Sequence, residues 1–323
     1  MASTASTNAP APHFSDWMIE RSDAIDSRVV VGLDPDFTKF PAALQQRVTG
    51  GDDAAITDAL VEFNQAMIDG TAEYAVAFKP QAAFYEQYGL AGYTALLKTI
   101  AYAREASVPV ILDGKRNDIG HTAAAYGQAW LADDLPFVGK ANTARADAVT
   151  VNGYLGSDGI HPFLEAKEGA GLFVLGKTSN PSSGELQDHH LKDSGLTVYE
   201  TMASLCHGWG ESNIGASGFS RVGLVVGATY PELAARIRNI APNSLFLMPG
   251  VGAQGAGVEG IVLASRSDGH GAYASSSRGI MYSFDKAAGA DDSSWRDAVE
   301  SAASREAGQL RDAIRTALSN RSS

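Results

Sequence analysis

Cysteine is almost absent from this chain of 323 residues, in which Cys206 is the single example. One cysteine cannot form a disulfide within the chain, and it excludes metal sites built from several thiolates. Such sparse use suits a reducing compartment, so we expect a cytoplasmic protein in which this thiol is buried and inert.

Basic residues are also scarce, because 25 lysines and arginines stand against 37 acidic residues and give a formal net charge of -12. A chain with this balance has no excess of cations to neutralise nucleic-acid phosphates or an anionic membrane surface. We therefore expect neither nucleic acid nor membrane as a partner. Any phosphate that the protein binds must be held locally by a few groups.

Long apolar runs are missing as well. No stretch approaches the roughly 20 apolar residues of a membrane-spanning helix, and residues 1–12 lack the basic and apolar regions of a signal peptide. We expect a soluble protein with a disordered tail over residues 1–15 and a single domain over residues 16–323. Hydrophobic residues make up 45% of the chain, enough to bury a substantial core.

Short apolar and β-branched runs recur along the chain and predict eight strands. The predicted strands are Val29–Leu33, Tyr74–Phe78, Val108–Leu112, Ala148–Val151, Leu172–Leu175, Val222–Val226, Leu245–Met248 and, more weakly marked, Ala272–Ser276. Their apolar character is continuous and does not alternate strictly with polar residues. This pattern is typical of parallel strands that are covered on both faces.

Helical patterns separate several of these runs, such as the apolar stripe of Ile56, Leu60, Phe63 and Met67. Further helices are predicted around Tyr93–Ile100, His121–Leu131, Val198–Leu205, Pro231–Ile240 and, at the end of the chain, Trp295–Leu318. Polar or Gly-rich stretches predict loops or short insertions at Thr49–Asp53, Asp133–Thr143, Ser179–Ser194 and Cys206–Ser220.

Strands and helices alternate along the whole chain, which indicates βα units joined by right-handed crossovers. Eight such units close into a (β/α)8 TIM barrel of the α/β class. The usual size of this fold, ~250 residues, leaves room for a tail, short insertions and a carboxyl-terminal helix. No linker divides the chain, so we predict one domain.

The carboxyl ends of the predicted strands bear charged residues, which is where a barrel of this kind collects its chemistry. Asp34 follows the first strand, Lys79 the second, and Asp113 and Lys115 the third, with Asp118 shortly beyond. Residues two apart in an extended strand point to the same side, so the Asp113 carboxylate and the Lys115 ammonium should be neighbours. Two acids beside one ammonium leave excess negative charge, which is costly for stability alone. A salt bridge that merely closes a strand end is the alternative interpretation.

The last two strands are followed by segments suited to a phosphate. Pro249–Gly257 is rich in glycine, which lets backbone amides approach an anion closely, and Gln254 lies within it. Arg278 follows the eighth strand and offers two parallel donors. The glycines also spell G-x-G-x-x-G, but that dinucleotide motif normally opens a Rossmann unit, whereas six βα elements precede it here. Histidine spacings typical of metal sites are absent from the sequence, so we expect no metal.

Five segments together resemble the orotidine 5'-phosphate decarboxylase family in its longer bacterial and archaeal form. They are Asp113–Ile119, Phe78–Pro80, Lys177–Pro181 with its Thr-Ser-Asn-Pro sequence, Pro249–Gln254 and Ser277–Gly279. The resemblance extends over roughly Asp16 to Ala287. It implies a barrel that converts orotidine 5'-phosphate to UMP and carbon dioxide without any cofactor, the last step of de novo UMP synthesis.

The resemblance also implies roles for the charged residues. Asp34 would contact the ribose, and Lys79 would link a ribose hydroxyl to the charged network. Asp113 would face the substrate carboxylate, and Lys115 would protonate the C6 carbanion. Asp118 would reach the site from a partner subunit.

Further binding roles follow from the same resemblance. Thr122 would accompany Asp118 across the interface, so each site would be complete only in a homodimer. Ser179 would bind the pyrimidine edge, while Gln254 and Arg278 would hold the phosphate.

Three alternatives stay open on the sequence alone. A metal-dependent sugar-phosphate decarboxylase or aldolase on the same barrel would lose its activity in EDTA. A second enzyme would use Lys115 or Lys79 to form a Schiff base with a carbonyl substrate. The third alternative is a noncatalytic barrel that only binds a phosphate ligand.

Overall fold

The computed structural model describes residues 13–140, 144–251, 257–284 and 294–321. Its strands are β1 (Val29–Leu33), β2 (Ala75–Pro80), β3 (Ile111–Arg116), β4 (Asp134–Leu135), β5 (Gly139–Lys140), β6 (Ala148–Val151), β7 (Gly171–Lys177), β8 (Ser220–Val226), β9 (Ser244–Pro249) and β10 (Ala272–Ser276). Each of the eight predicted apolar runs overlaps one long strand. The two shortest strands, β4 and β5, form a separate antiparallel hairpin.

The eight long strands form one parallel sheet in the order β2-β1-β10-β9-β8-β7-β6-β3. Its two edge strands, β2 and β3, are joined by the bridges Phe78 to Val110 and Gln81 to Asp113, which close the sheet into a barrel. The predicted (β/α)8 architecture is confirmed. Parallel strands in a barrel direct all their carboxyl ends to one rim.

Helices surround this barrel. They are α1 (Phe14–Ala24), α2 (Ala42–Val48), α3 (Asp53–Thr71), α4 (Ala83–Glu86), α5 (Gly89–Glu105), α6 (Gly120–Trp130), α7 (His161–Ala166), α8 (Gly184–Gln187), α9 (Val198–Gly210), α10 (Pro231–Ile240), α11 (Glu259–Ala264), α12 (Arg278–Met281) and α13 (Trp295–Arg321). Short 3-10 turns lie at Phe37–Lys39, Gly153–Gly159, Pro181–Ser183 and Glu211–Asn213. In the part of the chain described, no helix combines the length and apolar character needed to cross a membrane.

The core has two layers. Side chains such as Val30, Ile111 and Phe173 fill the interior of the barrel, while Phe63 and Ile237 pack between the sheet and the surrounding helices. This covering on both faces explains why the strands read as continuous apolar runs.

Helix α1 closes the amino-terminal end of the barrel. Phe14 is buried and meets Phe173 edge to face, with ring centroids 5.9 Å apart. Gly171 makes this approach possible, because a Cβ there would lie 2.3 Å from the Phe14 ring. The predicted tail over residues 1–15 is therefore too long, since Phe14 and Ser15 already belong to the core. Residues 1–12 lie outside the described residues, and their disorder stays a prediction.

Three of the predicted loops contain regular structure. The loop expected over Ser179–Ser194 includes the 3-10 turn Pro181–Ser183 and helix α8. The loop expected over Cys206–Ser220 is wrong at its start, because α9 continues to Gly210. Cys206 is fully buried, and a Cβ on Gly210 would lie 2.6 Å from the Ser220 hydroxyl, so tight packing against β8 extends this helix. The loop expected over Asp133–Thr143 contains the β4–β5 hairpin, and its residues 141–143 lie outside the described residues.

Candidate active site

A cavity of about 500 Å3 opens at the carboxyl-terminal rim of the barrel. That volume is in the range typical of pockets for small ligands. Its wall contains most of the residues singled out in the sequence, namely Asp34, Lys79, Asp113, Lys115, Ser179 and Arg278. They come from the ends of five different strands, so closure of the barrel is what assembles them.

Asp113 lies at the centre of the charged residues. The Lys79 ammonium donates a hydrogen bond to Asp113 Oδ2 at 2.8 Å, and the Lys115 ammonium donates to Asp113 Oδ1 at 2.7 Å. Lys79 and Asp113 are both buried, whereas 44% of the Lys115 side chain remains exposed. Lys115 is therefore the cation of this group that faces the open cavity.

The two lysines hold Asp113 ionised. Burial would raise the pKa of its carboxyl group, but the charges of Lys79 and Lys115 outweigh burial and lower the pKa well below the ordinary value. Burial would likewise lower the pKa of Lys79, yet the negative charges of Asp113 and Asp34 raise it above the ordinary value. At neutral pH the Lys79–Asp113 pair is thus fully charged.

Two further side chains donate hydrogen bonds to the Asp113 carboxylate. The Thr150 hydroxyl donates to Asp113 Oδ1 at 2.8 Å, and Gln81 Nε2 donates to Oδ2 at 3.1 Å. Sequence reasoning missed both residues. Gln81 follows Lys79 by two positions, a spacing that places side chains on the same side of a strand. Thr150 is a single hydroxyl inside the apolar strand β6 and gave little signal.

The backbone at Lys115 departs from a regular strand. Its φ is 45°, in the left-handed region, where a residue with a Cβ costs ~1–2 kcal/mol. The Lys115 N–H donates to the Thr150 hydroxyl at 2.9 Å, and the register of β3 against β6 shifts between Leu112 and Arg116. Asp113 and Lys115 do lie side by side as expected, but a distorted strand held by Thr150 places them so.

Asp34 stands at the end of β1 with one carboxylate oxygen unused. Its Oδ1 is buried and has no hydrogen-bond partner among the described residues. The Tyr282 hydroxyl donates to the Asp34 backbone oxygen at 2.7 Å and accepts from the Asp36 N–H at 2.8 Å. The turn is therefore fixed while the side chain retains an acceptor for a ligand hydroxyl.

The opposite side of the cavity is suited to an anion. Arg278 opens α12 beside the hydroxyl of Ser277, both on the cavity wall. Gly32 lets this segment pass close to β1, because a Cβ there would lie 1.8 Å from the Ser277 Oγ. Gly250 also lines the wall, whereas Gln254 lies outside the described residues and its predicted contact stays a prediction.

Two of the predicted site residues are not brought to the cavity. Asp118 accepts a hydrogen bond from the Ile119 N–H at 2.8 Å, and Thr122 is exposed on the first turns of α6. Neither belongs to the cavity wall of this chain. Within the ranges the structure describes, no group of three His, Cys, Asp or Glu side chains is placed to hold a metal ion.

A family model described as "Orotidine 5'-phosphate decarboxylase / HUMPS family" matches residues 27–292. The chain belongs to this family. The match spans all eight strands of the barrel and every residue predicted for the site. The resemblance noted from five short segments therefore extends over residues 27–292.

Curated members of the orotidine 5'-phosphate decarboxylase family align with nearly the whole chain. The enzyme of Rhodopirellula baltica is 42% identical over 277 residues, which cover 84% of this chain and 90% of the relative. That of Haloarcula marismortui is 43% identical over 302 residues, 94% of this chain and 98% of the relative. Among solved structures, the Leishmania donovani OMP decarboxylase is 33% identical with a TM-score of 0.68, covering 94% of this chain and 99% of that one.

Proposed function

We propose that this chain catalyses the decarboxylation of orotidine 5'-phosphate to UMP and carbon dioxide without a cofactor, the last step of de novo UMP synthesis. The observation that supports this most is the alternating chain of Lys79, Asp113 and Lys115 on the cavity wall. The Rhodopirellula and Haloarcula relatives are both named orotidine 5'-phosphate decarboxylases. These names favour this reaction over the sugar-phosphate, Schiff-base and noncatalytic alternatives.

The chemistry explains why charges are needed. Loss of carbon dioxide from C6 leaves a vinyl-type carbanion, and no π-system is positioned to accept its charge. Stabilisation must come from electrostatics. The Lys115 ammonium, exposed to the cavity, is attracted more strongly to a charge localised on C6 than to the delocalised carboxylate, and it then donates its proton there.

Asp113 adds a smaller contribution by facing the carboxylate that leaves. Two like charges ~4 Å apart at an effective dielectric of ~20 repel by about 4 kcal/mol, or roughly three decades of rate. Enzymes commonly supply ~8–23 kcal/mol, so repulsion alone is insufficient. We assign the larger share to stabilisation of the carbanion by Lys115, which its hydrogen bond to Asp113 orients on the cavity wall.

The remaining residues on the wall take binding roles. Asp34 accepts a ribose hydroxyl with its unused oxygen, and Lys79 connects the ribose to the charged chain. Ser179 meets the pyrimidine edge, and Arg278 grips the phosphate at the other side of the cavity, with Gln254 closing over it.

Asp118 and Thr122 are proposed to act in the site of a second copy of the chain. Their positions outside the cavity support this, together with the exposed apolar residues nearby. Ile119 is 50% exposed and Tyr154 is 76% exposed, and Ile119 shares a shallow pocket with Asp158. A symmetric homodimer would bury this surface and complete two sites at once. The cytoplasmic location and the single domain over residues 16–323 stay predictions.

The direct test is a spectrophotometric assay of orotidine 5'-phosphate loss in the presence of EDTA. The wild type should be fully active, and Lys115→Ala should lose at least about 10⁴-fold in kcat, because a positioned proton donor and a cation are removed together. Arg266→Lys, far from the cavity, serves as the control. Activity that survives Lys115→Ala would refute the proton-donor role, and activity lost in EDTA would favour the metal-dependent alternative.

The shared site is tested by mixing two inactive variants. Lys115→Ala and Asp118→Ala should each be inactive alone, whereas a re-equilibrated mixture should recover about a quarter of wild-type activity, because half of its dimers contain one intact site of two. A mixture that stays inactive would contradict the assignment of Asp118 to the partner's site.

A further inference from the structure

Lys177 is a buried cation that the reaction as described does not use. It ends β7, directly before the segment that places Ser179 on the cavity wall, yet only 1% of its surface is exposed and it does not line the cavity. A buried ammonium is costly unless it is paired. Its place behind the wall therefore calls for an explanation other than contact with substrate.

The partners of Lys177 lie at the far end of that segment. Its ammonium donates to Asp188 Oδ1 at 2.7 Å and to the Ser183 hydroxyl at 3.1 Å. The ring of Tyr230 lies beside it, with its centroid 5.3 Å from Nζ. One cation thus ties the end of strand β7 to residues 183 and 188, and the backbone between them must follow.

Two further contacts restrain the same segment. Gln187 Oε1 accepts the Thr178 N–H at 2.9 Å, and Gln187 Nε2 donates to the Thr178 hydroxyl at 2.7 Å. On the other side, a Cβ on Gly227 would lie only 3.0 Å from the Ser179 Cβ. Ser179 is therefore restrained on one side by the hydrogen bonds between Thr178 and Gln187 and on the other by its close contact with Gly227.

We propose that the ion pair of Lys177 and Asp188 fixes Ser179 against the pyrimidine ring, which makes Lys177 a positioning residue for this reaction. The inference rests on the proposed function, in which Ser179 recognises the pyrimidine. In the same proposal the phosphate is held on the far side of the cavity by Arg278, which opens α12 after a different strand. Loss of the ion pair should therefore weaken recognition of the ring and leave recognition of the sugar phosphate intact.

The test compares two ligands that differ by the ring. UMP and ribose 5-phosphate are titrated calorimetrically into the full-length wild type, Lys177→Met and Asp188→Asn. Both variants should bind UMP about tenfold to a hundredfold more weakly, because a small misplacement of a binding group has effects of this size. Binding of ribose 5-phosphate should not change, and the KM for orotidine 5'-phosphate should rise.

A matched control lies at the other end of β7. Lys167 is also largely buried and pairs with the exposed Asp133 at 2.8 Å, near the amino-terminal end of the barrel. Lys167→Met removes an equivalent ion pair and should leave the ratio of UMP to ribose 5-phosphate affinity at the wild-type value. Gly227→Ala, which presses a methyl group towards Ser179, should lower that ratio while leaving the Lys177 side chain and its ion pair in place.

The proposal is overturned if Lys177→Met and Asp188→Asn keep wild-type UMP affinity, or if both ligands weaken equally, which would mark a purely structural role. Should Lys177→Met fail to fold, Asp188→Asn decides, because the Asp188 side chain is 51% exposed and its replacement is mild. A wild type that binds UMP but does not decarboxylate orotidine 5'-phosphate would refute the proposed function and leave the positioning result readable.

Discussion

Both ends of the barrel bury positive charge, but they satisfy it with different partners. At the amino-terminal end, the Arg238 guanidinium donates to backbone oxygens of Ala264, Ser244 and Gly271 at 2.6–2.9 Å. It also lies 3.7 Å from the centroid of the Phe246 ring. Neutral carbonyl oxygens accept hydrogen bonds from its N–H groups. Because no carboxylate pairs with it among these contacts, burial lowers the pKa of Arg238 to about 9.

At the carboxyl-terminal end, Lys79 and Lys115 meet a carboxylate beside an open cavity. Charge at this end is paired with charge, and both the Asp34 oxygen and the Lys115 side chain are left available. The partners of a buried cation thus distinguish a structural role from a chemical one. A guanidinium enclosed by carbonyls stabilises the fold, whereas ammonium groups around a carboxylate at a cavity maintain a field for a reaction.

Among variants that test this difference between the two ends, Asp113→Asn should have the largest effect, because it removes the carboxylate charge that pairs with both Lys79 and Lys115. We expect kcat/KM to fall by at least about a thousandfold, the equivalent of ~4 kcal/mol of charge interaction. The measurement is the decarboxylation assay at saturating and limiting substrate. Retention of more than a tenth of the activity would place the critical charge elsewhere.

Arg278→Ala should come next. The loss of the proposed bidentate phosphate contact should lower kcat/KM by about a hundredfold. Arg278 is exposed, so the free energy of unfolding should change little. Urea denaturation beside the kinetic assay separates the two quantities, and Arg278→Lys, which keeps the charge without the fork, should recover part of the loss. Unchanged kcat/KM would count against the phosphate assignment.

Thr150→Val should lower kcat by about tenfold, because the hydroxyl that supports the left-handed backbone of Lys115 is lost. Thr150→Ser keeps the hydroxyl and should remain close to wild type. Equal kcat values for the two variants would show that packing, and not this hydrogen bond, holds Lys115.

A smaller effect is expected in the acid dependence of stability. The folded-state pKa of Asp113 lies below its ordinary value of 3.8, so its ion pairs stabilise the folded state fully above that pH and less as the pH falls below it. The difference in unfolding free energy between the wild type and Asp113→Asn should therefore shrink by about 1 kcal/mol between pH 7 and pH 3. Urea titrations at both values measure it, and a constant difference would contradict the assignment.

Arg238→Gln should affect catalysis least, because Arg238 lies at the amino-terminal end of the barrel, away from the cavity. We expect the free energy of unfolding to fall by about 3 kcal/mol, since several buried carbonyls lose a charged donor. The kcat/KM of the folded fraction should equal that of the wild type. A selective loss of activity in a stable variant would mean that the two ends are coupled.

The fold was predictable because the strands are covered on both faces, so that runs such as Val29–Leu33 and Val222–Val226 mark them directly. Charged residues at strand ends were equally visible, since the closure of a barrel brings such ends together. The roles of Thr150 and Gln81 could not be predicted from the sequence, because they depend on which strands become neighbours in the barrel. The helical continuation beyond Cys206 escaped because packing against β8 overrides the local preference of two glycines.

The few backbone hydrogen bonds between β2 and β3 should affect how readily the barrel opens locally. This last seam of the barrel has two isolated bridges in place of a continuous ladder, and Lys79 and Gln81 reach across it to Asp113. Lys79 and Asp113, which are proposed to act in catalysis, therefore also stabilise the closed barrel. Amide protons along this seam, such as that of Ala82, which donates to the Asp113 carbonyl, should exchange with deuterium faster than those of the opposite wall, and a bound nucleotide should slow them first.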